Sequence, residues 1–168
     1  MINVRPVTSV DLLSLQNYTL TSFEGYPLQY YYFHYLSWPY IMYVAEDDKK
    51  SIVGHIILKC EDGISLKNVI SVTSLNVQLS SRNCGIGSLL LRMAINAAIE
   101  VYGARYCMLR INFEDNFLVH FLVNKNGFER VGEDFTFIKK LKLEDQIESD
   151  CTALCAVQWR KSVIRDEK

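Results

Sequence analysis

Apolar and polar positions repeat with two different periods along the chain, and the places where the period changes divide it into elements. Ile2 to Val7 predicts a short strand, and Thr8-Ser9-Val10-Asp11 a helix start, with Thr8 as the cap and Asp11 in the first turn. Leu12, Leu15 and Leu20 give that helix its apolar face. Pro27 opens a second helix over Leu28 to Leu36, crowded with Tyr30, Tyr31, Tyr32, Phe33 and Tyr35, and Trp38-Pro39 ends it. Ile41 to Ala45 and Ile52 to Lys59, rich in β-branched and aromatic residues, flank the charged turn Glu46 to Lys50 and predict a hairpin. A third strand spans Val69 to Val77, and the glycine-bearing loop Arg82 to Gly87 precedes a long helix from about Ser88 to Tyr102. Tyr106 to Ile111 predicts a strand, Asp115 to Asn124 a helix, and Phe128 to Val131 with Phe135 to Leu141 a closing strand pair. This order is that of a mixed α/β domain over residues 1–142. Residues 143–168 differ in pattern: Ile147, Cys151 and Leu154 stand at helical spacing, predicting an appended helix.

Composition narrows the function classes. With 168 residues, 49% hydrophobic and 22% charged, the chain can bury one substantial core. A net charge of -1 carries no electrostatic footprint for direct nucleic-acid binding. Five cysteines, without a CxxC pair and without ordered spacing to the three histidines, suggest neither a disulfide framework nor a metal site. A reducing, cytoplasmic setting is the expectation. The start of the chain has no leader pattern, and the apolar run near residue 90 is interrupted by Arg92 and Asn96, so no membrane association is expected. All ten tyrosines stand at or before Tyr106.

The stretch with chemical content is Arg82-Asn83-Cys84-Gly85-Ile86-Gly87, an R-x-x-G-x-G pattern between a strand and a helix. Glycines let the backbone approach an anion, and the first N–H groups of the helix point at it with the positive end of the helix dipole. Such a pocket suits a pyrophosphate. By itself the hexapeptide is equally a plain turn, so the flanking strand and helix matter.

With these flanks the chain resembles the GNAT superfamily of acetyl-CoA-dependent acetyltransferases, through Leu75-Asn76-Val77, Arg82 to Gly87 and the order of elements over residues 2–141. Within it, Tyr30 to His34, Leu36-Ser37-Trp38-Pro39, Tyr43 to Asp47, Ile52-Val53-Gly54 and Thr73-Ser74-Leu75 resemble the catalytic subunit of the NatA N-terminal acetyltransferase complex. The resemblance implies a mixed central sheet of about seven strands with four flanking helices, to which the spacing in residues 143–168 adds the extra C-terminal helix. It also implies transfer of acetyl from acetyl-CoA, a cosubstrate, to the α-amine of protein N-termini by direct attack in a ternary complex. Leu75, Asn76 and Val77 would splay from the neighbouring strand and offer backbone N–H groups to the thioester and pantetheine, while Arg82, Asn83, Cys84, Gly85, Ile86, Gly87 and Ser88 would form the pyrophosphate loop. Asn116, or Asp115 beside it, would meet the pantetheine arm. Phe23, Glu24 and Tyr26 fall on the substrate loop, Glu24 as the base and Tyr26 over the substrate's first residue. The aromatic helix and the first helix would dock onto a helical-repeat auxiliary subunit and, through it, reach the ribosome.

Three positions and one segment depart from the family pattern. Leu122 stands where a tyrosine usually acts as general acid, Asn112 where the NatA subunit has arginine, and Ser71 where it has histidine. The segment Phe128 to Phe135 is too short for the family's peptide-closing loop. All four lie on the acceptor or proton-transfer side. They leave open an acceptor such as lysine or a small molecule, or a non-catalytic acetyl-CoA-binding subunit. His34, His55 and His120 read as core or interface residues, Cys84 as a loop residue, and the run Lys139 to Lys142 as a solvated face.

Overall fold

The computed structural model describes residues 1–20, 25–61, 68–111, 115–131 and 135–141. Its strands are β1 (Asn3–Pro6), β2 (Met42–Glu46), β3 (Ile52–Cys60), β4 (Val69–Val77), β5 (Tyr106–Arg110), β6 (Glu129–Val131) and β7 (Thr136–Lys140). The helices are α1 (Asp11–Leu20), α2 (Leu28–Ser37), α3 (Ile86–Tyr102) and α4 (Asn116–His120), the last continuing into a π turn over Phe121–Lys125. The sheet runs β1-β2-β3-β4-β5-β7-β6, and β4 and β5 are its parallel pair, connected through α3.

Period-two alternation places two apolar layers on opposite faces of this sheet. Tyr43, Ala45, Ile56, Leu58, Ile70, Cys107, Leu109 and Phe137 pack with Leu90, Leu91, Ala94 and Ala98 of α3. On the other face Met42, Val44 and Ile57 meet Leu12 and Leu15 of α1 and Tyr31 of α2. Glycine at 54 lets α3 cross β3 closely, since a Cβ there would lie 3.3 Å from Leu90 Cδ1 and 3.2 Å from the Asn76 carbonyl oxygen. At the far end of α3, Gly103 (φ 63°) takes the left-handed conformation, and its N–H and that of Ala104 close on Ile99 and Ala98.

Two local expectations are corrected. The long helix begins at Ile86 rather than near Ser88, because Gly85 supplies the left-handed turn that starts it. Thr8 does not cap α1 with its hydroxyl; it donates its N–H and its Oγ–H to Asp11 Oδ2, while Asp11 also holds Arg5 in two bonds at 2.7 and 2.9 Å. Arg5 reaches Glu46 as well, at 3.0 Å, so one guanidinium ties β1 to α1 and β2. The expected C-terminal helix lies outside the described residues.

Candidate functional site

β4 is laddered on both sides only as far as Val72. Its pairing with β5 ends at Val72 and Leu109, whereas its pairing with β3 runs on to Val77 opposite Gly54. The cause is a bulge: Thr73 is an extra residue between the pairs Val72–Leu58 and Ser74–Ile57. Its Oγ–H donates to the Ile57 carbonyl at 3.0 Å, which holds the irregularity in place. Leu75, Asn76 and Val77, expected to splay from a neighbour, lie in the segment without a β5 ladder.

The loop that follows is anchored to the same strand end, since Arg82 Nε donates to the Val77 carbonyl at 2.9 Å. Asn83 (φ 62°) and Gly85 (φ 80°) are both left-handed, which curls the loop tightly into α3. No side chain caps α3, so the first-turn amides of Ile86, Gly87 and Ser88 have no cap acceptor. A Cβ on Gly85 would meet open space, so the loop's outer surface is clear. Asn83 and Cys84 are exposed and Ile86 is buried beneath them. Two left-handed residues, a helix N-terminus and the lack of a side-chain cap form an arrangement that can accept an anion.

α4 completes this side. Asp115 is its cap rather than a residue of the helix: Oδ1 accepts the amides of Phe117 at 2.8 Å and Leu118 at 3.4 Å. That commitment leaves Asn116, exposed at the first helical position, as the side chain of the pair available to a ligand. Phe121 packs toward Gly87, and Leu122 is buried in the core at 1% exposure. The position where the family carries a tyrosine thus holds no proton donor.

Phe23, Glu24 and Asn112, expected on the substrate side, lie outside the described residues. Tyr26 is half-buried and stacks on Tyr30 of α2, with centroids 4.1 Å apart at 15°. Burial pushes the Tyr30 phenol up to about 12, with the Thr73 hydroxyl acting the other way. Ser71 is buried and donates to Glu61 Oε1, which also pairs with Lys59 at 3.1 Å. Desolvation and these bonds oppose one another at Glu61, and its pKa ends below the usual value. His34 is buried, donates from Nδ1 to the Tyr30 carbonyl at 2.8 Å and sits among aromatic rings, which fits a core histidine. His120 is exposed and accepts from Asn124, so the core half of its core-or-interface expectation is corrected.

One pairing was invisible in the sequence. His55 of β3, 1% exposed, places Nε2 2.8 Å from Ser74 Oγ, within the part of β4 that β5 does not pair. Nineteen residues separate the two, and only the β3–β4 register joins them. Among the described residues there is no group of three or more His, Cys, Asp or Glu side chains suited to a metal ion, and no helix long and apolar enough to cross a membrane.

Comparison with known proteins agrees with this geometry. Residues 11–128 match the Acetyltransferase (GNAT) family. The chain is 33% identical over 130 residues to the N-alpha-acetyltransferase daf-31 of Caenorhabditis elegans, covering 77% of this chain and 71% of that protein. It is 38% identical over 112 residues to the N-terminal acetyltransferase complex ARD1 subunit homolog of Dictyostelium discoideum, covering 66% of this chain and 54% of that one, about half its length. In fold it is similar to a chain of the crystal structure of the NatC complex bound to Gag peptide and CoA, with TM-score 0.72 and 21% identity over 84% of this chain and 99% of that one. With the bulged strand, the glycine loop and the uncapped helix in one place, the chain belongs to the GNAT family and is an acetyl-CoA-dependent acetyltransferase.

Proposed function

We propose that this chain transfers acetyl from acetyl-CoA to the α-amine of protein N-termini, as a NatA-like catalytic subunit. The observation that carries the cofactor half is the curled loop Arg82 to Gly87 leading into an α3 without a side-chain cap. The amides of Ile86, Gly87 and Ser88 would hold the pyrophosphate, with Asn83, Cys84 and Gly85 forming the rim and Arg82 tying it to β4. Leu75, Asn76 and Val77, beyond the end of the β5 ladder, would receive the thioester end, and Asn116 the pantetheine arm. Acetyl-CoA supplies an activated acetyl group with a thiolate leaving group.

The chemistry asks little of the acceptor side. An α-amine has a pKa near ~8, so about a tenth of it is neutral at pH 7 without any catalyst. A carboxylate acting through water, the role assigned to Glu24, suffices to take the remaining proton. With Leu122 buried, the leaving thiolate, whose pKa is roughly 8 to 9, does not depend on a tyrosine acid.

The partner reading rests on α2. Tyr31 and His34 face the core, while Tyr32, Phe33 and Leu36 are 46%, 58% and 76% exposed, and Leu13 of α1 is 57% exposed. Exposed large apolar side chains of this kind suit an interaction surface, and a helical-repeat auxiliary subunit that leads to the ribosome would cover them, in the cytoplasm. The relative in Dictyostelium is named as a homolog of the ARD1 subunit of an N-terminal acetyltransferase complex.

The test is acetylation of a peptide array by the purified chain, with and without such a subunit. Transfer to the α-amine of Ser- or Ala-starting peptides is the expected result. Modification of lysine side chains or polyamines alone would overturn the acceptor, and acetyl-CoA binding without any transfer would overturn catalysis.

A further inference from the structure

His55 is a polar side chain that the fold has enclosed and half satisfied. Its Nε2 faces Ser74 Oγ at 2.8 Å, its Nδ1 has no partner among the described residues, and the ring of Tyr18 from α1 meets it edge-on at 5.8 Å. Burial drives its pKa down to about 4, so the ring is neutral at physiological pH and carries one hydrogen. A proton on Nδ1 would be a buried donor with no acceptor, the costlier way to leave one nitrogen unpaired. The hydrogen therefore belongs on Nε2 and is donated to Ser74 Oγ.

That assignment has a consequence for Ser74. With Oγ accepting from His55, the serine's own hydrogen is free to point elsewhere, and no other partner takes it among the described residues. Ser74 stands directly after the Thr73 bulge, in the stretch of β4 that has lost β5. Ser74 thus belongs to the strand segment that borders the opening where β4 and β5 part.

We propose that Ser74, oriented by His55 as a positioning residue, donates a hydrogen bond to the departing sulfur of the thioester, the role left empty by Leu122. The step balances without a proton leaving serine. The amine nitrogen bonds to the acetyl carbon, the carbon–sulfur bond breaks with its electron pair going to sulfur, and the ammonium proton passes to water. Ser74 stabilises the thiolate while staying protonated, because a serine hydroxyl is a far weaker acid than a thiol. This rests on the acetyl-transfer reading above.

Three measurements on the intact chain test it. Nitrogen-15 spectra of labelled histidine, with His55 assigned by its loss in His55→Gln, should show the Nε2–H form; an Nδ1–H form overturns the proposal. The thiol pKa of bound CoA, followed by thiolate absorbance against the CoA-free protein, should rise by roughly one unit in Ser74→Ala. In acetyl transfer, Ser74→Ala should lower kcat by roughly 10²-fold with CoA affinity within about twofold of wild type, and Ser74→Thr should recover most of it. His55→Phe, which keeps a ring against Tyr18, should lower kcat without raising the peptide KM, and His55→Gln should recover it through its amide donor. An unchanged kcat and thiol pKa in Ser74→Ala, or loss of CoA binding by that variant, overturns the assignment. Should wild type acetylate no α-amine, the proposed function fails, while the first two measurements still decide this one.

Discussion

Phe121 packs against the α carbon of Gly87, so closely that a Cβ at 87 would sit 3.3 Å from Phe121 Cζ and 3.4 Å from Cε2. The second glycine of the loop is thus held by the aromatic ring of a distant helix as well as by any ligand. Gly87→Ala should cost about 1 kcal/mol of stability and weaken CoA binding, because the ring must move by tenths of an ångström. Trimming the ring with Phe121→Leu in the same chain should return part of that loss. Denaturant unfolding of both single variants and the double variant checks this: strictly additive effects, within about 0.3 kcal/mol, would show that the contact is not the cause.

Gly85 offers the contrasting case. Its Cβ position is open, so only the left-handed φ of 80° opposes a side chain. Gly85→Asn should be tolerated best, Gly85→Ala should cost on the order of 1 to 2 kcal/mol, and Gly85→Val more. Calorimetric titration with CoA should rank affinity in the same order, and equal affinity across the three would break the link between loop conformation and ligand.

The Arg5 bridge makes an acid-side prediction. Bonding to Arg5, ahead of the opposing cost of burial, lowers Asp11 to about 2 from an ordinary 3.8. A lowered carboxylate contributes its full stability above the unfolded value, and that contribution is lost as pH falls through the folded one. Asp11→Asn should therefore cost roughly 1.5 to 3 kcal/mol at neutral pH, with the gap to wild type narrowing below about pH 4. A gap that stays constant down to pH 3 would contradict it.

His55 acts in a higher window. Its folded pKa of about 4 lies below the ordinary 6.5, so between those values the unfolded chain binds a proton that the folded chain refuses. Wild-type stability should fall as pH drops through this range, by up to about 1.4 kcal/mol per unit from this group. Desolvation lowers His34 in the same direction. His55→Phe should flatten the slope between pH 6.5 and 4, and an unaltered slope would mean that His55 is not buried in solution.

The cap of α4 makes a smaller prediction. Asp115 accepts two first-turn amides, and Asp115→Ala should cost about 1 kcal/mol, with Asp115→Asn nearly neutral. Thermal unfolding reads both, and equal losses in the two variants would assign the effect to charge rather than to the cap.

Much of this protein is written locally. Alternation in Met42 to Glu46, Ile52 to Cys60 and Val69 to Val77, and the 3.6-residue period of Ile86 to Tyr102, are properties of short segments, so the strands, the long helix and the glycine loop between them can be read in order from the sequence. The expectation that Leu75 to Val77 part from a neighbour came with the resemblance and not from the local pattern. What the sequence does not contain is register. The extra residue at Thr73, the meeting of His55 with Ser74, the seating of Phe121 on Gly87 and the burial of Leu122 each depend on how separate segments align. Periodicity says which face of an element is apolar, whereas cross-strand alignment is set by the summed packing of the whole core. The sequence by itself determined the order of the elements and the glycine loop ahead of the long helix, because these are local, and its resemblance carried the class of enzyme; only the tertiary structure decided which buried side chains stand beside the opened strand, because that depends on register.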